Sequence, residues 1–189
     1  YNALAARRDP AKAVLVYEKL ALLRPKDRAV QNWLASLYQQ NKEPGKAIAV
    51  YQAMMEAESG MARRQYAFQV AQQMLAQGQK KEALAFAEAH LMKDAADANQ
   101  FALVSLFYEN AGLFKESAAA LEKCVVLSEN PAQKANFLMR LAECLRRGKD
   151  FPGAEKALRE VLAQAGLAPA SKDRANQALA DLAREQPGK

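Results

Sequence analysis

Apolar residues recur along this chain at intervals of three and four, which is the spacing of one buried face on a helix. One such segment, which opens with a small residue, occurs five times, with spacings of 34, 36, 34 and 37 residues. A second pattern consists of an apolar residue, a small residue directly after it, and a large apolar residue three positions after the small one. It begins thirteen residues before four of these segments. The small residues that open the five segments are Ala13, Ala47, Ala83, Ser117 and Ala154, and the second pattern is Leu34-Ala35-Tyr38, Val70-Ala71-Met74, Val104-Ser105-Tyr108 and Leu141-Ala142-Leu145.

Each pattern predicts an amphipathic helix, and its small residue lets a neighbouring helix approach closely. Each repeated unit is therefore predicted to be a pair of helices. Short breaks that carry Asp, Gly or Pro separate the helices. At these breaks Asp9 and Asp150 are predicted to be N-caps, and Pro10 and Pro44 suit a first helical turn.

These repeats resemble the tetratricopeptide repeat (TPR) family, whose unit has 34 residues, with a small residue facing a large apolar one in each helix and a proline near the end. The resemblance covers roughly residues 1–170, and Pro25 and Pro131 stand near the place of the family's proline. The second helix of the third unit departs from the pattern, with Ala87 where a bulky ring is usual and His90 where a small residue is usual. The resemblance implies an all-α fold, a right-handed α-solenoid of helix–turn–helix repeats.

The expected organisation is one continuous solenoid domain. Residues 1–6 supply only the end of a first helix, so the chain is expected to be a piece of a longer repeat protein. A narrow apolar stripe surrounded by charge predicts a terminal helix that covers the last apolar face of the stack. The predicted segments are a truncated first repeat at 1–27, repeats at 28–61, 64–97, 98–131 and 135–168, and a C-terminal capping helix at 171–186.

The remaining composition removes several classes of function. The chain has 189 residues and a formal net charge of +6. That charge is positive over residues 1–63 and 134–189 and negative between them, so it forms no continuous basic stripe, and nucleic acid is not the expected partner. With His90 as the single histidine, neither a His-based triad nor a paired-His metal site can form within the chain. His90, Cys124 and Cys144 are read as packing residues, and no catalytic residue, metal site, cofactor or enzymatic activity is predicted.

The first helix of each unit lines the concave side of such a solenoid, where an extended peptide or a partner helix can lie. Helical spacing next to the core stripe gives the residues of that inward face, which are mostly amides and hydroxyls with a few apolar spots. Amides can both donate to and accept from a peptide backbone. The predicted partner-binding residues are Asn32, Ser36, Gln39, Gln65, Phe68, Gln72, Leu75, Asn99, Leu106, Asn136, Met139 and Glu143.

The leading hypothesis is a protein-interaction scaffold that binds a partner protein or peptide in its concave groove. Its Ala- and Gln-rich composition suggests a bacterial source, and analogy with the family suggests a larger assembly or secretion protein. A subset of the family captures carboxylate termini with a cluster of Lys, Asn and Arg. Only Asn2 and Arg140 match that cluster in kind, so this specialised function is not expected.

Two alternatives stay open. In the first, the chain is a structural spacer of a longer repeat protein that self-associates through exposed apolar ends. In the second, the basic ends of the chain dock on a polyanion. No apolar run approaches the roughly 18 residues of a membrane span. The compartment stays open between a cytoplasmic and a periplasmic domain of a bacterial protein.

Overall fold

A computed structural model describes residues 9–185, which contain ten α-helices and no strand. The predicted all-α solenoid class is confirmed. The truncated first helix, Asn2 and Gln186 lie outside the described residues. The helices are α1 (Pro10–Leu23), α2 (Arg28–Gln40), α3 (Pro44–Ala57), α4 (Gly60–Ala76), α5 (Lys80–Ala87), α6 (Ala98–Asn110), α7 (Phe114–Leu127), α8 (Pro131–Arg147), α9 (Phe151–Ala163) and α10 (Pro169–Glu185).

The chain divides into two compact units, the first ending at Lys93 and the second beginning at Asp94. In the first unit, α2 packs against α1 and α3, and α4 packs against α3 and α5. In the second unit, α7 packs against α6 and α8, and α9 packs against α8 and α10. Sequential neighbours thus pack on one another within each unit. The repeat boundaries and the single continuous domain stay predictions.

The predicted caps are confirmed. The carboxylates of Asp9 and Asp150 each accept a hydrogen bond from the backbone N–H three residues later, at 3.1 and 3.0 Å. Pro10 and Pro44 occupy the first turns of α1 and α3, where a missing N–H costs nothing. Three further side chains cap helices in the same way: Asp27, Asp97 and Asn130.

Within residues 9–185, four turns that lie between the helices of a pair close with the same hydrogen bond. In each turn, the large apolar residue of the second pattern accepts at its carbonyl from the N–H five residues later, as in Glu43 N to Tyr38 O at 2.8 Å. The residue just before each donor has a left-handed backbone, with φ between 60° and 76°. This is the Schellman closure of a helix end. The other three bonds are Gln79 N to Met74 O, Leu113 N to Tyr108 O and Asp150 N to Leu145 O.

Small residues of the two repeat patterns form the closest packing positions. Ala35, Ala47, Ala71 and Ala83 in the first unit have no exposed surface. In the second unit, Ser105, Ser117 and Ala154 are also fully enclosed, and Ala142 is 4% exposed. A larger side chain at such a position would push two helices apart. The repeat pattern therefore marks the points where helices touch.

The second helix of the third unit, whose sequence departs from the family pattern, also departs from α-helical geometry. After Ala87 the chain continues α5 as a π-helical turn, Glu88–Met92. The guanidinium of Arg64 on α4 donates to the carbonyls of Leu91 and Lys93, the latter at 2.9 Å. These bonds satisfy carbonyls at the end of the widened helix, where the regular ladder stops.

His90 lies inside this π-helical turn as a packing residue. Its ring centroid lies 4.4 Å from that of Phe86. Burial lowers the pKa of His90, and the nearby charge of Arg63 lowers it further. Both effects favour the neutral imidazole at neutral pH.

The core of the second unit joins α7, α8, α9 and α10. Its largest enclosed side chains include Leu121, Leu138 and Leu182, all between 0 and 2% exposed. Cys124 and Cys144 belong to the same core as free thiols, which confirms their predicted packing role. Burial raises the pKa of Cys124 to about 11 and also raises that of Cys144. Both thiols therefore stay protonated and unreactive near neutral pH.

Candidate partner-binding surface

The predicted residues of the first unit lie on the parts of α2 and α4 that the core leaves uncovered. Asn32 and Gln65 are exposed, and the remaining five are half-buried. Several side chains already have partners within the unit: Ser36 accepts from Gln40 at 3.3 Å, and Gln39 hydrogen-bonds to Tyr51. Amides with such partners offer a peptide less than the sequence suggests. The half-buried predicted residues are Ser36, Gln39, Phe68, Gln72 and Leu75.

Gln72 on α4 differs from Ser36 and Gln39 in its hydrogen bonding. Its Nε2 atom is buried and has no hydrogen-bond partner within the described part of the chain. A buried amide donor without a partner costs free energy, so a ligand carbonyl that reached it would be favoured. Phe68 lies one turn earlier on the same helix and Leu75 one turn later.

In the second unit the predicted residues separate into two groups. Asn99 and Leu106 lie on α6, where both are exposed, and Asn136 is exposed near the start of α8. Met139 and Glu143 lie further along α8 and line a pocket of about 450 Å³. This volume falls within the roughly 300–1,000 Å³ of typical ligand pockets. We call it the terminal pocket.

The terminal pocket has an apolar floor and a charged rim. Helices α8, α9 and α10 all contribute to it. Three alanines leave the space that larger side chains would fill, and Leu158 and Leu182 close the bottom at 3 and 2% exposure. The floor consists of Met139, Ala142, Ala154, Leu158, Ala178 and Leu182, and the rim consists of Glu143, Arg146, Asp181, Arg184 and Glu185.

Arg146 dominates the electrostatics of the rim. Its guanidinium donates through Nε and Nη2 to Glu143, at 2.8 and 2.7 Å, and through Nη1 to both oxygens of Glu185 on α10, at 2.8 Å. The hydrogen bonds from Arg146 lower the pKa of Glu143, so this carboxylate is ionised at neutral pH. Arg184 pairs with Asp181 at 3.1 Å. Each rim guanidinium therefore already has a carboxylate partner.

Arg140 is similarly engaged, away from the pocket. It donates to Ser105 at 3.0 Å and to Glu109 at 3.2 Å, which joins α8 to α6. The carboxylate of Glu109 thus occupies the guanidinium that matched the carboxylate-binding subset of the family. This contact supplies a structural reason against that specialised function.

Sequence reasoning missed the contribution of α9 and α10 to this site. It treated the terminal helix as a cap, although the apolar stripe of α10 contains Ala178 and Leu182 at helical spacing. The apolar stripe itself is the available signal, because helical spacing places Ala178 and Leu182 on one face of α10. The acids Asp181 and Glu185, four residues apart, lie beside the stripe and supply the rim.

Residues 9–185 contain no group of three or more His, Cys, Asp or Glu side chains placed to hold a metal ion. No helix within these residues has the length and hydropathy to cross a membrane.

Comparison with known proteins identifies the fold. No family model matches the chain, and no curated protein matches it. A match to one chain of the APC/C hetero-tetramer Cut9-Hcn1, at 14% identity and a TM-score of 0.51, covers 95% of this chain and 34% of that one. This chain therefore spans about a third of the length of that protein.

Three other solved structures match over most of both chains. BtubC from P. vanneervenii is 16% identical with a TM-score of 0.63, over 97% of this chain and 84% of that chain. A Podosopora anserina protein with nearly identical TPR-like repeats is 19% identical with a TM-score of 0.59, over 90 and 93%. The thermophilic TPR protein TTC0263 from Thermus thermophilus is 17% identical with a TM-score of 0.54, over 94% of each chain. The chain therefore has the tetratricopeptide-repeat fold that its sequence resemblance implies.

Proposed function

We propose that this chain is a non-enzymatic scaffold that binds a peptide or a partner protein along the inward faces of its first helices. The terminal pocket carries this proposal, because it joins a concave apolar floor to a polar rim, as ligand-binding sites do. Two independently predicted residues, Met139 and Glu143, line it. Membership of a larger bacterial assembly or secretion protein is part of the proposal and rests on composition and analogy.

Selection from a random peptide display library tests the proposal. We expect the 189-residue chain to retain a converged set of peptides. Ala178→Phe is expected to reduce that retention about tenfold or more, because the ring fills the space above the apolar floor. Ala180→Phe is the matched control, since Ala180 lies on the same helix but is exposed and does not line the pocket.

Circular dichroism would verify that both variants fold. Equal retention by the chain and by Ala178→Phe would contradict the terminal pocket as the binding site. A double variant, Gln65→Ala with Phe68→Ala, tests in the same way whether these two residues on α4 take part in peptide binding. A library that yields no converged peptides would contradict the scaffold function.

The alternative function is a structural spacer that self-associates. The observation that favours it is an apolar surface on α1, where Leu15, Leu22 and Leu23 are 61, 82 and 81% exposed. Exposed apolar side chains grouped in this way mark interaction surfaces.

Sedimentation equilibrium tests this alternative. Self-association predicts that the apparent mass rises over about a hundredfold range of concentration. The double variant Leu22→Lys with Leu23→Lys would then remain monomeric over the same range, because it places two charges within the apolar surface. A constant monomeric mass for the unmodified chain would contradict self-association.

A further inference from the structure

We infer that the terminal pocket binds an aliphatic side chain of an extended peptide that carries a lysine or an arginine next to it. This inference rests on the proposed scaffold function and deepens it, because it states the chemistry of the ligand. Three observations support it: the apolar floor, the excess of carboxylates on the rim, and the occupied guanidiniums.

The floor selects for an aliphatic side chain. Met139 brings a flexible thioether that adapts to the shape of its neighbour, and the rest of the floor is leucine and alanine. Transfer of a leucine side chain from water to such a surface is favourable in proportion to the apolar area covered. A polar side chain would lose its hydrogen bonds to water, and the apolar floor offers no hydrogen-bond partner in return.

The rim selects for a cation beside that aliphatic side chain. Three carboxylates and two guanidiniums line the pocket, so one negative charge is in excess. Arg146 is shared between Glu143 and Glu185, and its four hydrogen bonds leave little donor capacity for a ligand. A peptide carboxylate that approached Arg146 would have to displace one of these acids, whereas Arg184 is bonded to Asp181 through Nη1 alone. A lysine or arginine adds to them without displacing either.

The charge of the whole chain predicts the opposite preference. With a formal net charge of +6, a non-specific electrostatic attraction would favour an acidic peptide. Preference for a cationic peptide would therefore report the local charge of the rim rather than the overall charge. This contrast makes the sign of the preference a sharp test.

Four synthetic peptides, capped at both ends and equal in length, test the inference by fluorescence anisotropy on the intact chain. The first has a central leucine between two lysines. The second replaces the lysines with glutamates, the third replaces the leucine with serine, and the fourth replaces the lysines with serines. We expect the first to bind most tightly, the second to bind at least about fivefold more weakly, and the third at least about tenfold more weakly.

Two variants show whether the rim causes the charge preference. Asp181→Asn removes the excess negative charge, and it is expected to bring the Kd values of the lysine and glutamate peptides closer together. Asp173→Asn is the matched control, because Asp173 is exposed on the same helix and does not line the pocket. The control is expected to leave the preference unchanged. Added salt should also reduce the preference, since the rim charges are partly exposed.

The inference is overturned if the glutamate peptide binds as tightly as the lysine peptide, if serine substitutes for leucine without loss, or if none of the four peptides binds. The inference is also overturned if Asp181→Asn and Asp173→Asn prefer the lysine peptide over the glutamate peptide to the same degree. The peptide experiment tests the ligand chemistry, whereas the display experiment tests the scaffold function. Selected peptides that bind through Ala178 but lack an aliphatic and cationic pair would leave the scaffold function in place and reject this ligand chemistry.

Discussion

Replacing Leu121 by alanine is expected to lower the free energy of unfolding by about 2–5 kcal/mol. Leu121 lies on α7 with no exposed surface, inside the core that joins α7 to α10. Alanine removes apolar contacts and leaves a cavity, because helices fixed by their other neighbours collapse only in part. Equilibrium unfolding in guanidinium chloride, followed by circular dichroism, measures the loss.

Val126 provides the matched control for this prediction. It lies on the same helix but is 81% exposed, so Val126→Ala is expected to change the free energy of unfolding by no more than about 0.5 kcal/mol. Leu121→Met keeps most of the volume and should cost less than about 1.5 kcal/mol. Equal losses for Leu121→Ala and Val126→Ala would contradict the core described for this unit.

The packing of the helix pairs could be predicted from the sequence because the same constraint acts in every repeat. A small residue must stand where two helices touch, and a large apolar residue must stand in the last turn of the first helix of each pair. Ala35 and Tyr38 satisfy both constraints, and each has its equivalent in the later repeats. The spacing of small and large residues thus encodes the helix–turn–helix unit directly.

The left-handed turn residues were less visible in the sequence. Gly78 and Gly112 are the residues such a turn favours, but Lys42 and Lys149 adopt the same conformation at φ of 60° and 65°. A lysine carries no signal for a left-handed backbone. The Schellman bond and the following helix select the conformation in the folded chain, and tertiary context overrides the local preference.

The π-helical turn shows where pattern reasoning reaches its limit. Ala87 and His90 marked a departure from the repeat, but a departure does not specify which geometry replaces the α-helix. The carbonyls in and just after the turn accept hydrogen bonds from Arg64, which lies on another helix. Contacts between residues distant in sequence have no periodicity from which to predict them.

For the same reason, the sequence predicts only the part of the terminal pocket that lies on α8. Met139 and Glu143 follow from helical spacing on α8, which is a local property. The approach of α10 to α8 depends on the direction in which the chain turns after α9. The spacing of apolar residues along a helix does not predict that direction. The predicted binding residues on α2 and α4 stay a prediction, because partial exposure alone does not show that they contact a partner.

The terminal pocket requires α10 to stay docked, and Leu182 is the side chain on which docking depends most. Leu182 is 2% exposed and lines the pocket, and Ala175 is the other buried residue of this helix. The ion pair between Arg146 and Glu185 also joins α10 to α8, but both side chains are more than a third exposed. Partly exposed pairs contribute little to stability, so apolar burial holds the helix.

Leu182→Ala is therefore expected to release α10 and to weaken peptide binding at the same time. A loss of about 2 kcal/mol or more in docking corresponds to at least about 30-fold faster hydrogen exchange in residues 169–185. The apparent Kd of a pocket ligand equals the intrinsic Kd divided by the fraction of molecules in which the pocket is formed, so it rises as α10 is released. Hydrogen exchange with mass spectrometry and anisotropy with the selected peptides measure the two effects.

Ala180→Gly separates docking from helix propensity. Ala180 is exposed on α10, so glycine there costs the helix about 0.5–1 kcal/mol without removing a docking contact. Exchange in residues 169–185 should then accelerate by no more than about fivefold, and peptide binding should change little. If Leu182→Ala accelerates exchange no more than Ala180→Gly does, Leu182 does not hold the helix. If residues 169–185 exchange as fast as an unfolded segment while peptide binding is unchanged, the ligand binds elsewhere, because a pocket that lacks one of its three helices cannot retain it.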